Sequence, residues 1–190
     1  MKSFTAIISV LIATAAAAPT PSTNGARQAP VSIKPIRMST YFGSTGAVRL
    51  STEGHIQRFS GQSDQSTLLT FDIPKIYEEK DCAFALTLDG ANDFASGSKQ
   101  LDIFTSIKPA TADAASWPSG NLRDQAGGRM RFYGDVQPGA ASYVNDIAHP
   151  ASSFKCPSGV FGGELVPVGD KVDIYWTSYS SGPSIVVLNP

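Results

Sequence analysis

Residues 82–90 read CAFALTLDG, and this stretch decides the fold. Every second residue from Cys82 to Leu88 is apolar, whereas the residues between them are Ala or Thr. A period of two is typical of a β-strand that buries one face. The Asp-Gly pair at 89–90 is a turn signal that ends the strand. We therefore expect a half-buried strand with the Cys82 sulfur pointing inward.

The same alternation recurs along the chain. The clearest repeats are residues 69–73, 101–107 and 172–176, and the weaker ones are 35–42, 55–59, 129–134, 164–168 and 185–188. After the N-terminal segment, only residues 76–80 could form a single turn of helix. About nine short strands without crossover helices predict an all-β fold, an antiparallel β-sandwich of the jelly-roll type.

One of these strands, 172–176, places Trp176 on the same face as Val172 and Ile174, which predicts a core tryptophan. Tyr175, Thr177 and Tyr179 then line the opposite face. That face is either a second binding surface or simply the outer side of a sheet.

The N-terminal segment indicates export. Residues 1–17 combine Lys2, an apolar run from Phe4 to Ile12 and an Ala-x-Ala site, which is typical of a signal peptide cut between Ala17 and Ala18. Residues 18–32 are rich in Pro, Ser and Thr and predict a disordered linker. Residues 33–190 form the sandwich domain. The apolar run is shorter than the roughly 20 residues of a membrane span, so we expect a secreted protein without one.

Charge and motifs exclude several function classes. The chain has 15 basic and 16 acidic residues, and the signal removes only Lys2, which leaves a net charge of −2. Such a balance lacks the clustered positive charge that nucleic acid requires. GxSxG, HExxH and P-loop motifs do not occur, so the better-marked hydrolases and nucleotide enzymes are excluded. No cofactor is expected.

The chain has two cysteines, Cys82 and Cys156. In an oxidising compartment we expect them to form a disulfide, which would tie the strand at 82–88 to the loop at 154–157. The alternative is a metal ligand or a nucleophilic thiol, although neither cysteine has a CxxC partner.

Several fragments, read in order, resemble a family of secreted proteins from filamentous fungi. These fragments are GHIQRFS (54–60), STLLTFDIP (66–74), CAF (82–84), DIFTS (102–106), WPSGNLRD (117–124), GR (128–129), CPSG (156–159), GELV (163–166) and VGD (168–170). They are similar to the C-terminal domain family named after a ubiquitin 3 binding protein of the But type, over nearly all of residues 33–190.

The resemblance implies the β fold and the paired cysteines. The family name comes from an intracellular member that binds a component of a ubiquitin-like conjugation pathway, and an exported chain would not meet that partner. We therefore do not transfer this binding activity. No catalytic residues are established for the family, so none is transferred either.

The most unusual loop lies between Trp117 and Arg131 and supplies the candidate ligand-binding residues. These are Trp117, Asn121, Arg123, Asp124 and Arg129. An exposed indole stacks on a pyranose while polar neighbours bind its hydroxyls. In the alternative interpretation, Trp117 plugs the end of the sandwich and Arg123 pairs with Asp124 or a strand-end carboxylate.

Other chemistry is signalled more weakly. Glycosidases need two carboxylates about 5 to 10 Å apart, and candidates are Glu53, Asp64, Asp72, Asp102, Glu164, Asp170 and Asp173. Alternation places Asp72, Asp102 and Asp173 on solvent-facing sides. The segment DGAND (89–93) hints at calcium but is also typical of an Asx turn. His55 with Glu53 does not make a metal triad, so no metal site is expected.

Three functions follow from these patterns. The first is a non-catalytic secreted protein that binds cell-wall polysaccharide or another surface ligand. The second is a carbohydrate-active hydrolase or lyase on the same sandwich. The third is a secreted effector or adhesin that binds an extracellular protein through an exposed apolar patch.

Overall fold

The structure, a computed structural model, describes residues 29–117, 122–144, 153–177 and 181–190. Fifteen strands and one short 3-10 turn, Lys75–Tyr77, occur in these ranges. The strands are β1 (Val31–Ile33), β2 (Arg37–Phe42), β3 (Ala47–Ser51), β4 (Gly54–Arg58), β5 (Gln65–Ile73), β6 (Asp81–Leu88), β7 (Phe94–Gly97), β8 (Gln100–Ser106), β9 (Arg123–Arg131), β10 (Gly139–Ala140), β11 (Ser142–Tyr143), β12 (Ser153–Lys155), β13 (Gly159–Val168), β14 (Val172–Trp176) and β15 (Gly182–Val187).

The strands form two antiparallel sheets. The five-stranded sheet has the order β1-β15-β6, and β10 and β12 both pair with β6 along its other edge. The ten-stranded sheet has the order β11-β9-β8-β13-β5-β4-β14-β7, with β2 also paired to β5 and β3 paired to β2. The predicted antiparallel all-β sandwich is confirmed.

The ten-stranded sheet curls, because the chain that leaves β9 reaches the opposite edge strand β7. Phe94 forms an isolated bridge with Val136, and the amide of Ala95 donates to the Asp135 carbonyl at 2.8 Å. Lys99 forms an ion pair with Asp135 beside this bridge. These contacts bring the two edges of the sheet together into a half-barrel.

The main core lies between the two sheets, and β6 buries every second residue, as its alternation predicts. Its large side chains include Phe84, Leu86, Leu88 and Ile185 from the five-stranded sheet and Leu69, Phe71, Ile103, Leu165, Ile174 and Trp176 from the ten-stranded sheet. Each fully buried side chain of this kind contributes about 1.5 to 3 kcal/mol. The predicted core position of Trp176 is confirmed.

The predicted disulfide is also confirmed: Cys82 and Cys156 are bonded and both are buried in this core. The bond joins β6 to the segment after β12, across a sequence separation of 74.

A second, smaller cluster lies on the other side of the ten-stranded sheet, which we call the outer face. Residues 107–117, the cover segment, lie over this face. The cluster comprises Tyr41, Val48, Leu68, Ala110 and Trp117. Gly162 permits this close approach, since a Cβ there would stand 2.9 Å from the Cα of Pro109. The hydroxyl of Thr70 fixes the segment by donating to the Ala110 carbonyl at 2.8 Å.

Several predicted boundaries are corrected. β1 begins at Val31, inside the predicted linker 18–32, because its pairing with β15 orders a segment too short to show alternation. The strand expected at 129–134 is β9 and runs from Arg123 to Arg131. The short strands β3, β7, β10, β11 and β12 were not predicted.

Candidate functional site

The structure does not bring the predicted ligand-binding residues together. Trp117 ends the cover segment, whereas Arg123, Asp124 and Arg129 follow one another along β9. Arg123 and Arg129 are six positions apart on a strand, a separation of up to about 20 Å. The remaining predicted residue, Asn121, lies outside the described residues.

Trp117 is packed rather than presented. The residue is 4% exposed and belongs to the outer-face cluster with Tyr41 and Val48. Its amide donates to the Gly46 carbonyl at 2.7 Å, and Ser116 bridges Ala47. In this position the ring is not available as the exposed stacking surface that the sugar hypothesis requires, and the packed alternative describes its contacts.

Arg123 is held by a buried carboxylate. Its Nε and one terminal nitrogen donate to Glu164 at 2.6 and 2.9 Å, and the Ser66 hydroxyl donates to the same carboxylate at 2.6 Å. The guanidinium also lies 5.1 Å from the ring centre of Phe104. The hydrogen bond to Glu164 is the main cause of the raised pKa of Arg123.

This pairing corrects the expectation that Arg123 pairs with Asp124 or a strand-end carboxylate. Glu164 lies in the middle of β13 and is 1% exposed. An ionised buried carboxylate requires such a partner. Both side chains are therefore committed to holding β9 against β13.

Arg129, also on β9, forms a second ion pair, which joins β9 to β8. It lies directly opposite Asp102 on β8, and two of its nitrogens donate to that carboxylate at 2.7 and 2.9 Å. Asp102 is on the outer face, as predicted, and each side chain of the pair is 22% exposed. This bidentate pair reinforces the β8–β9 ladder.

Asp124 lies at a groove on the inner side of β8 and β9, where this sheet meets β12. We call it the Phe154 groove; its volume is about 300 Å³. Its lining residues are Thr105, Ser106, Asp124, Gln125, Phe154, Lys155, Pro157 and Phe161. Two register shifts in the β8–β9 ladder, between Ile103 and Ser106, occur beside it. Irregularities of this kind redirect side chains next to binding sites.

An aromatic cluster forms one wall of this groove. The rings of Phe154 and Phe161 stack with centroids 5.7 Å apart, and Phe84 lies 5.3 Å behind Phe154. Phe154 and Phe161 are both half-buried. The groove therefore combines an aromatic wall with a polar rim.

A second aromatic feature lies on the outer face, away from the cover segment. His55 on β4, Tyr175 on β14 and Phe94 on β7 stand opposite one another in register, and Val136 continues the line through its bridge to Phe94. We call these four residues the Tyr175 row. At strand spacings of about 4.8 Å the row spans about 14 Å.

The rings of the row contact one another. Tyr175 stacks on Phe94 at 5.8 Å with planes 28° apart, and the His55 ring meets Tyr175 edge-on at 5.8 Å. The three rings are half-buried and Val136 is 73% exposed. The sequence predicted the outer position of Tyr175, which is confirmed; Tyr179 lies outside the described residues.

Polar groups flank the row on both sides. His55 Nε2 donates to the Asp173 carboxylate at 2.8 Å, and Asp173 stands in register with Gln57 and Ser96. On the other side, the Glu53 carboxylate lies near Tyr175. Burial raises the pKa of Tyr175, and Glu53 adds to this rise.

Two further acidic residues, Asp64 from the carboxylate candidates and Asp93 from the 89–93 segment, have structural partners. Asp64 pairs with Arg58. Asp93 is fully buried and accepts from the amides of Gly90 and Thr177 at 2.9 and 3.2 Å. The bond to Gly90 reaches back three residues across a β-turn closed by the Asp93 amide, so it differs from the Asx turn that the sequence offered as the alternative to calcium. Within the described ranges, no group of three or more His, Cys, Asp or Glu side chains could hold a metal ion.

The sequence reasoning missed Phe94, Phe154 and Phe161. Phe94 and Phe154 lie on strands of four and three residues, which are too short for alternation. Phe161 shares its strand with four glycines or prolines, which interrupt the apolar pattern. The only available signal was that Phe154 lies two residues before a disulfide cysteine.

In the part of the chain that the structure describes, no helix has the length and apolar character to cross a membrane.

One protein family matches most of this chain. No curated protein matches the chain. The family model for the ubiquitin 3 binding protein But2 C-terminal domain matches residues 28–181, from the start of the described region to the first residue before β15. The chain therefore belongs to the But2 C-terminal domain family.

Proposed function

We propose that this chain is a secreted, non-catalytic protein that binds an extended carbohydrate, such as a cell-wall polysaccharide, on the Tyr175 row. The observation that carries the proposal is the alignment of three rings in one cross-strand line on a sheet face. The family description names a binding role, which agrees with the general part of the proposal.

The row suits a sugar chain in shape. Tyr175 and Phe94 present nearly parallel rings, and Val136 extends the apolar line outward. Aromatic faces stack on the C–H faces of pyranose rings, and a line of about 14 Å accommodates more than one ring. A line of this kind fits a straight chain better than a small compact ligand.

The flanking polar groups suit sugar hydroxyls. Glu53 and Asp173 provide carboxylate oxygens, and Gln57 and Ser96 provide an amide and a hydroxyl in the neighbouring register positions. Such groups fix the orientation of a stacked ring through hydrogen bonds. Because the carboxylates would repel an anionic polymer, we propose a neutral polysaccharide.

Export and localisation belong to the proposal as well. The N-terminal segment has the pattern of a signal peptide, and a disulfide suits an oxidising compartment. An exported chain would not meet an intracellular partner. We therefore retain the binding role in the family description without its named partner.

The test is retention on insoluble chitin, β-1,3-glucan and cellulose. Tyr175→Ala and Phe94→Ala should each weaken retention about tenfold, since one stacked ring is worth about 1 to 1.5 kcal/mol. Leu50→Ala is the matched control, because Leu50 is an exposed apolar side chain on the same sheet outside the row. Equal retention of Tyr175→Ala and wild type, or no retention of the folded wild type, overturns the proposal.

A protein ligand is the second candidate, and one observation favours it. Ile36 and Val160 are 56% and 64% exposed beside a mostly apolar depression of about 360 Å³ at the start of β2. Exposed apolar patches mark contacts between proteins. For this candidate, Ile36→Lys would abolish capture of an extracellular protein and leave any polysaccharide retention intact.

A further inference from the structure

We propose that the Phe154 groove is a second carbohydrate site, which takes a single neutral pyranose unit, and that the domain uses it together with the Tyr175 row to bridge two polysaccharide chains. The bridging part rests on the proposed function of the row. The groove itself is argued independently of it.

The apolar wall of the groove is built for a ring-shaped ligand. Phe154 and Phe161 stack with their planes 24° apart, and Pro157 lines the groove beside them. The disulfide at Cys156 holds this wall from behind. A volume of about 300 Å³ is at the small end for ligand pockets, which suits one sugar ring rather than a chain.

The opposite rim supplies hydrogen-bonding groups. Thr105 Oγ1 accepts from the Gln125 amide at 3.0 Å and donates to Asp124 at 3.4 Å, and the side chains of Asp124 and Gln125 are exposed. The Ser106 hydroxyl oxygen is buried and has no hydrogen-bond partner among the described residues. Ligand hydroxyls would replace the long Thr105–Asp124 contact with shorter bonds.

The charges of the groove select a neutral ligand. Among the described residues of its lining, the only cation is Lys155, whose ammonium donates to Asp81 at 2.7 Å. Asp124 is thus the charge left to face a ligand, and it would repel a uronic acid or a phosphorylated sugar.

The two sites cannot share one straight chain. In the sheet order, β13 and β5 lie between β8 beside the groove and β4 in the row. The two sites also face opposite ways: Tyr175 is on the outer face, whereas Phe161 contacts Phe71 and Phe84 on the inner face. Simultaneous occupation therefore requires two chains, or a chain that folds back.

The groove is tested with soluble monosaccharides. Glucose, mannose and N-acetylglucosamine are titrated into the wild-type protein while amide chemical shifts are recorded. At least one should shift the amides of Thr105 and Gln125. Asp124→Ala should weaken that binding at least tenfold, while Asp72→Ala, which removes an exposed carboxylate from β5 outside the groove, should not. Binding of none of the three sugars, or equal binding by Asp124→Ala, overturns the groove.

Bridging is tested by light scattering of a soluble β-glucan mixed with protein. Wild type and Asp72→Ala should raise the scattering, and Asp124→Ala and Tyr175→Ala should each abolish the rise. If Asp124→Ala loses monosaccharide binding yet scattering is unchanged, bridging is wrong. If Tyr175→Ala loses polysaccharide retention but no monosaccharide binds the groove, the proposed function stands and this inference is refuted. If a monosaccharide binds the groove but Tyr175→Ala retains polysaccharide as the wild type does, the row is refuted and the groove stands.

Discussion

Trp117 and Tyr175 are both aromatic residues on the outer face of the ten-stranded sheet, and they have opposite environments. Trp117 lies in the cluster beneath the cover segment, whereas the strands that carry Tyr175 have no such cover among the described residues. The difference comes from a neighbour, Gly162, whose missing side chain lets residues 107–117 lie on one half of the face. Alternation assigns a residue to a side of the sheet, and only the packing of a distant loop decides whether that side meets water.

The ion pairs on the covered half of the outer face, beneath residues 107–117, and on the open half, around Tyr175, differ in the same way. Glu164 is almost completely buried with Arg123, while Asp173 and His55 remain partly exposed. A buried pair cannot be broken without leaving a charge out of water. The covered half therefore contributes mainly to stability, and the open half is the one to which we assign the proposed binding.

The largest effect that tests this contrast is expected from Trp117→Ala. Removing a buried indole should lower the free energy of unfolding by about 3 to 4 kcal/mol. Polysaccharide retention of the folded variant should be unchanged. Denaturant unfolding measures the free energy of unfolding. Tyr175→Ala is the variant for comparison, and it should lower that free energy by no more than about 1 kcal/mol. A stable Trp117→Ala that no longer binds would reverse the assignment of the two halves.

The next effect concerns the buried ion pair. Arg123→Ala should destabilise the protein by about 3 kcal/mol, because Glu164 is left buried without its cation. The double variant Arg123→Ala, Glu164→Gln should recover part of this loss. Arg129→Ala is the control, since its partner Asp102 reaches water and the loss should stay within about 1 kcal/mol. Equal losses for the two arginines would contradict the distinction between the pairs.

The smallest effect at neutral pH is expected from a second tyrosine, Tyr143, whose alkaline titration reports its burial. Tyr143 on β11 donates to the Phe84 carbonyl at 3.0 Å, and burial raises its pKa to about 12. Since the folded state disfavours the phenolate, this stability is complete below pH 10 and is lost as the pH rises from 10 towards 12. The loss amounts to about 2 to 3 kcal/mol.

Tyr143→Phe should lower stability by about 1 kcal/mol at pH 7, through the missing hydrogen bond, and should flatten the alkaline decline. Tyr175→Phe is the comparison, because its ring is much less enclosed. Urea unfolding at pH 7, 10 and 11.5 measures both variants. An alkaline decline of the same size in wild type and Tyr143→Phe would assign it to other groups.

The strands that bury one face could be predicted from the sequence. Residues 172–176 match β14 at both ends, and the alternation of residues 82–88 describes β6 within one residue. Short edge strands such as β7 and β12 were not predicted, because three or four residues are too few to show an alternating pattern. Their existence depends on the long strand against which they pair.

The candidate sites were harder to predict for a related reason. The outer position of Tyr175 followed from alternation, but its alignment with Phe94 depends on the pairing of segments 81 positions apart. The buried state of Trp117 depends on the cover segment. The Phe154 groove depends on where two sheets meet. Each of these is a relation between distant segments, which local patterns do not contain.

The single sulfur bridge adds a condition on timing. Cys156 stands two positions after Phe154, whose own strand is only three residues long. Before oxidation, the β12–β6 pairing and the packing of Phe154 on Phe84 and Phe161 hold the groove wall; the disulfide then adds a covalent link to β6 in the core. If export and the groove site are as proposed, a newly made copy should acquire full monosaccharide binding in the groove only once the disulfide has formed.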